Sequence, residues 1–236
     1  MKILFHSIAI SLAFFLTVPV YAETSIFTGG EVDNHAQGFT YLGLELSKKL
    51  NDNFSLAGRL MPNYLTYQYR SGSDLVRAQS PGLYGLIGTK LAWGQTSVDL
   101  FGGVEYRHTN LKPDVSSSTK GDQVSGIVQG SFDTWIPSRT NFNLFVSFSG
   151  ISAFIYERGR IKQQVTNFDY KGSNTINLGV EQITGRNADF TQFGGGLIFE
   201  VFNIPNSMAF SVRGGYKHDT TFGHGGYGGL ELYKRL

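Results

Sequence analysis

Strict alternation is the feature that constrains this chain most. Leu42, Leu44 and Leu46 alternate with Tyr41, Gly43, Glu45 and Ser47, and Phe142, Leu144, Val146 and Phe148 alternate with Asn143, Phe145, Ser147 and Ser149. A period of two gathers each set on one face of a β-strand. The stretch from Ser207 to Leu236 does this twice. Met208, Phe210, Val212 and Tyr216 oppose Ser211, Arg213, Lys217 and Asp219; after a polar, Gly-rich loop, Leu230, Leu232 and Leu236 oppose Glu231, Tyr233 and Arg235. Beyond the first 22 residues, no stretch is apolar enough for a membrane-spanning helix.

Residues 1–22 read differently. Lys2 is a short basic start, Ile3 to Val18 is mostly apolar, and Val20-Tyr21-Ala22 has the form of a signal-peptidase site. The expectation is a cleaved secretory signal peptide over 1–22 and one domain over 23–236. The chain has 0 Cys, so no disulfide framework can hold the exported fold and no lipid-anchor cysteine follows the site. The formal net charge of +2 is too small to suggest a nucleic-acid partner.

In chain order the alternating stretches number about twelve, an even count of the kind bacterial barrels use. Short turns are expected at Asn51-Asp52-Asn53, Gly94-Gln95, Pro137-Ser138-Arg139 and Asn203-Ile204-Pro205-Asn206. Polar loops are expected at Ser71–Ser80 and Thr109–Asp122, and a further connection at Asn167–Thr175. If the N-terminus is periplasmic, the longer loops at Ser71 and Thr109 fall outside and the short turns inside. Tyr64, Tyr67 and Tyr69 stand near one strand end, where an interfacial aromatic girdle would lie. The stretch Ala153–Val165 carries Glu157, Arg158, Arg160 and Lys162, and its faces are not assigned by pattern.

A soluble sandwich would bury the leucine face; a barrel would turn it to lipid and the charges to the lumen. Charges oppose the apolar face in strand after strand, among them Glu45, Arg59, Lys90, Glu105, Arg107, Glu181, Arg213, Glu231 and Arg235. Glycines recur within strands, as at Gly102-Gly103 and Gly194-Gly195-Gly196, where curvature and close packing call for them. The reading is an all-β fold: an antiparallel transmembrane β-barrel in the outer membrane of a Gram-negative bacterium, in contact with outer-membrane lipid.

Few residues suggest chemistry. His218-Asp219 with His224 supplies metal-ligand types at a spacing that fits no fixed pattern, so a solvated loop is expected, with no metal and no cofactor. A barrel hydrolase of the phospholipase type would carry a His-x-Ser-Asn-Gly stretch. The nearest approach is His108-Thr109-Asn110, and the His-x-Ser pair of lipid A deacylases is also missing. Lumen charges could line a small diffusion pore or pair as a structural plug. Lumen aromatics such as Tyr41, Phe101, Phe145 and Tyr227 could stack on sugar rings or simply pack.

The C-terminal blocks resemble a known family. Arg213-Gly214-Gly215-Tyr216-Lys217-His218-Asp219, followed by Gly225-Gly226-Tyr227-Gly228-Gly229-Leu230, is similar to the ending of the cellulose biosynthesis protein BcsS family. Upstream, Gly179-Val180-Glu181, Asp189-Phe190-Thr191-Gln192 and Gly195-Gly196-Leu197 match that family's pattern, so the likeness covers about the last 60 residues. The resemblance implies a cellulose-secretion context, with cellulose or another polysaccharide and secretion components as partners. The expected role is a non-enzymatic accessory, with a diffusion pore or an outer-membrane lipid hydrolase as alternatives. Glu181, Asp189, Gln192, Arg213, Tyr216, His218 and Asp219 are the candidate polar network of lumen and loops, expected to close the last strands against the first.

Overall fold

A computed structural model describes residues 22–168 and 173–236. Within them the alternating stretches form twelve strands: β1 (Ala22–Asp33), β2 (Gly38–Lys49), β3 (Phe54–Ser71), β4 (Asp74–Trp93), β5 (Thr96–Lys112), β6 (Gly121–Ile136), β7 (Thr140–Ser149), β8 (Phe154–Phe168), β9 (Asn174–Arg186), β10 (Thr191–Asn203), β11 (Met208–Asp219) and β12 (Gly223–Arg235). Each pairs antiparallel with its sequence neighbours, and β1 pairs with β12 from Ser25↔Arg235 to Asp33↔Tyr227. The sheet is therefore a closed barrel. Closure removes the edge strand, whose unpaired N–H and C=O groups would be costly away from water. Of the expected signal peptide, only Ala22 falls among the described residues, as the first residue of β1.

The alternation sorts side chains as expected for a lipid-facing barrel. Leu100 is 57% exposed while its neighbour Phe101 is 2% exposed, and Ile87 at 66% sits beside Leu86 at 3%. The same contrast separates Leu197, at 70%, from Ile198, at 2%. Leucine, valine and phenylalanine thus cover the exterior, while charges and a few large apolar groups fill the interior. A sandwich would have buried the leucine face. This surface is stable only where the surrounding medium is apolar.

Two glycines show how the wall turns and fills. Gly94 takes φ +59° in the two-residue hairpin between Trp93 and Thr96, a left-handed conformation that glycine adopts without steric penalty. Gly43 faces the lumen, where a Cβ would lie 2.1 Å from Cζ of Phe27, so its missing side chain is the seat of that ring.

The rim opposite the chain termini differs from expectation. Ser71–Ser80 is not a loop: β3 and β4 continue through it and turn at 72–73. Its polar composition hides an alternation in which Val76, Ala78 and Ser80 point inward. Val76 and Ala78 pack with Leu111 in a small apolar cluster that also takes in Tyr67, Tyr69 and Val115. Tyr67 and Tyr69 consequently face inward and leave only Tyr64 of that trio at the exterior, 39% exposed. The long connection after β5 shortens to 113–120, because pairing of β5 with β6 reaches Thr109↔Gly121. The expected contrast in loop length is replaced by one in strand length, with β3–β6 spanning 16–20 residues each. The Asn167–Thr175 connection lies partly outside the described residues.

Candidate functional site

The face that β8 presents to the lumen organises the interior. Ile161 and Val165 are exposed on the outside, so Arg158, Arg160 and Lys162, at the alternate positions, point inward. Arg158 Nη1 donates to Glu231 Oε1 at 2.7 Å; Arg160 donates to both oxygens of the same carboxylate, at 2.7 and 3.0 Å. β8 and β12 are not neighbours in the sheet, so these bonds cross the lumen.

The network continues through β9, β11 and β1. Arg160 Nε donates to Glu181 Oε2 at 3.0 Å, and the Tyr227 hydroxyl donates to Glu181 Oε1 at 2.9 Å. Arg213 Nη1 lies 3.3 Å from Glu181 and 3.0 Å from Glu31, and its Nη2 lies 3.6 Å from Glu231. Lys217 Nζ is 2.8 Å from Asp33 and 3.7 Å from Glu31. Lys162 pairs separately with both oxygens of Glu200, at 2.8 and 2.9 Å, where Asn177 and Ser211 also donate. Charges this buried are tolerable only when paired and hydrogen-bonded on all sides.

The opposite half of the lumen is filled differently. Ala57, Met61, Tyr84, Leu86, Phe101 and Ile127 form an apolar cluster against Phe27, Phe39 and Tyr41. Arg59 lies with its guanidinium carbon 4.1 Å from the Phe101 ring centroid, and donates to Glu45 at 2.7 Å and Gln129 at 3.0 Å. Lys90 meets the other oxygen of Glu45 at 2.6 Å. Nearer the far rim, Glu105 is fully buried and accepts bonds from Ser149 and the Ile151 amide, while Arg107 donates to the Tyr84 hydroxyl at 2.9 Å. Between the two fillings a cavity of about 170 Å³ is lined by Phe27, Tyr41, Glu200, Ser211, Glu231 and Tyr233, among others.

The residues singled out by sequence are divided by this geometry. Glu181 and Arg213 sit in the network. Asp219 is buried at the far rim, where Gln37 donates to it at 3.3 Å. Gln192 is half-buried, in register with Asp219. Asp189 is exposed in the 187–190 turn, where its amide bonds Asn187. Tyr216 and His218 do not join the network: β11 turns its even-numbered residues outward, and both stand on the exterior beside His224.

The same alternation splits the His218, Asp219 and His224 set between two faces. His108 hydrogen-bonds Asp122 and Asn110, not a serine. Sequence reasoning missed Arg158, Arg160, Glu31, Asp33, Lys217, Tyr227 and Glu231 as members of the network. The signal for the first two was present, since Arg158, Arg160 and Lys162 alternate with Gly159, Ile161 and Gln163. The lumen aromatics are all engaged. Phe101 lies beneath Arg59, Phe145 packs near Arg158 and Tyr156, Tyr227 bonds Glu181, and Tyr41 packs against Phe27 and Phe39.

Known proteins bear on this geometry in three ways. The family model described as cellulose biosynthesis protein BcsS matches residues 25–236, the whole barrel and not its C-terminal part alone. Among curated proteins, none matches. Among solved structures, the β domain of the Bordetella autotransporter BrkA superposes with a TM-score of 0.47 at 11% identity, covering 91% of this chain and 98% of that one. OmpT with loop L8 deleted, an outer membrane protein of Vibrio cholerae, gives 0.38 at 10% identity, covering 92% and 99%. OpdK of Pseudomonas aeruginosa, solved with vanillate, gives 0.38 at 8%, covering 91% and 98%.

Proposed function

Because the chain belongs to the cellulose biosynthesis protein BcsS family, we propose that it is a non-enzymatic outer-membrane accessory to the synthesis or secretion of bacterial cellulose. The observation that carries this reading is the span of the family match, which runs from β1 to the last residue and so includes the lumen network and both rims. The apolar exterior supports residence in a membrane, and with strands as the spanning elements that membrane is the outer one. The ion pairs that cross the lumen support a role at the rims or the lipid-facing surface, where secretion components or the polysaccharide would be met.

A deletion strain tests the role. Cellulose yield or its attachment to the cell should change, while synthase activity in isolated inner membranes stays at the parental level. Unaltered cellulose in the deletion strain would remove the functional claim. The location is tested separately, by gel mobility of boiled and unboiled samples from fractionated membranes. A heat-dependent shift in the outer-membrane fraction is expected.

A further inference from the structure

At the rim opposite the termini, two loops meet across the seam where β1 pairs with β12. One, 34–37, joins β1 to β2; the other, 220–222, joins β11 to β12. Asp33 ends β1 and Asp219 ends β11, and both carboxylates are buried. His35 stands beside them with its ring stacked on Phe222 at 4.9 Å between centroids. One ligand atom from each of Asp33, His35 and Asp219 lies within 4.8 Å of the others.

Backbone groups aim the two carboxylates. Asp33 Oδ1 accepts the amides of His35 and Gln37, each at 2.8 Å. Asp219 Oδ1 accepts those of Thr221 and Phe222 at 2.8 and 2.7 Å, and Gln37 Nε2 donates to its Oδ2 at 3.3 Å. Two facts remain unexplained by packing. Asp219 is 1% exposed yet has no cation at ion-pair distance among the described residues, and His35 Nδ1 is buried with no hydrogen-bond partner. Buried carboxylates are ordinarily paired with a cation or bound to a metal ion.

We propose that Asp33, His35 and Asp219 bind a divalent transition-metal ion of the zinc class, which ties the first and last loops together across the seam. One imidazole with two carboxylates is a borderline donor set. It suits Zn²⁺ or Mn²⁺ better than calcium, which takes oxygen ligands alone. In a tetrahedral shell, metal–ligand bonds of about 2.0–2.2 Å place donors about 3.3–3.6 Å apart. From a spread of up to 4.8 Å the cluster therefore has to close by as much as about 1.5 Å, a movement shared by the side-chain bonds of His35 and of the two carboxylates. The amides on Asp33 and Asp219 and the Gln37 carboxamide are then the outer groups that orient the ligands. Lys217 is the competing cation at Asp33, and Glu31, 3.7 Å from its ammonium, is the partner to which it retreats.

The test is calorimetric titration of ZnCl₂ into the untagged, chelator-treated barrel, folded in detergent. The expected result is one saturable site per chain. His35→Phe keeps a ring against Phe222 and should abolish binding; Asp219→Asn should weaken it strongly, and Gln37→Ala should weaken it about tenfold. Lys217→Met should tighten it. Zinc should also raise the unfolding temperature of the wild type on semi-native gels and leave that of folded His35→Phe unmoved. Absence of a saturable site in the wild type, or undiminished binding in both His35→Phe and Asp219→Asn, would overturn the proposal. So would binding that is lost only in His224→Ala, which would place the ion at the exterior His218–His224 pair.

Discussion

The two halves of the lumen solve one problem by different means. Against β2–β6 the space is filled mostly by Met61, Tyr84, Leu86, Phe101 and Ile127, with charged sets around Glu45 and at Glu105 and Arg107. Against β8–β12 and β1 it is filled by Arg158, Arg160, Arg213 and Lys217 interlocked with Glu31, Asp33, Glu181 and Glu231. Apolar filling depends on volume, and neighbours can partly collapse around a change. Ionic filling depends on every partner being present, because a charge left alone in the lumen has neither water nor counter-ion. The ionic half also spans strands that are not sheet neighbours, as from β8 to β12.

Arg213→Met should have the largest effect, since it strips Glu31 and Glu181 of a shared cation and removes one of those facing Glu231. A loss of about 3–5 kcal/mol is expected in urea titrations of the barrel in lipid vesicles. Adding Glu181→Gln to that variant should restore part of it, which a purely steric role for Arg213 would not allow. In the apolar half, Leu86→Ala should cost about 2–5 kcal/mol by the same assay, with no rescue by any charge change. Rescue there would erase the distinction between the halves. Tyr227→Phe removes a single hydrogen bond to a buried carboxylate and should cost about 1.5–3 kcal/mol.

Much of the barrel was legible in the sequence because alternation records which face meets lipid. The strand count, the outward set Leu42, Leu100, Leu144 and Leu230, and the inward set Glu45, Glu105 and Arg213 all follow from it. The errors share one cause, the use of composition in place of period. Ser71–Ser80 looks polar, yet Val76 and Ala78 alternate through it and are buried at 0% and 2%. Tyr216 and His218 were grouped with Asp219 because they share a motif, although adjacent strand residues face opposite ways. What period cannot supply is which inward groups touch across the lumen. The contact of Arg160 with Glu231, 71 residues apart in sequence, depends on barrel diameter and strand stagger. The proximity of His35 to Asp219 depends likewise on closure of β1 onto β12.

The most direct test of a filled lumen is the conductance of the purified barrel in planar bilayers, recorded for the wild type and for Arg213→Met. The wild type should insert without producing steady single-channel steps, while Arg213→Met, its ionic half loosened, should show flickering openings. A stable, ion-selective conductance in the wild type would contradict the account. It would mean that the charges of β8–β12 line a pore and do not close one.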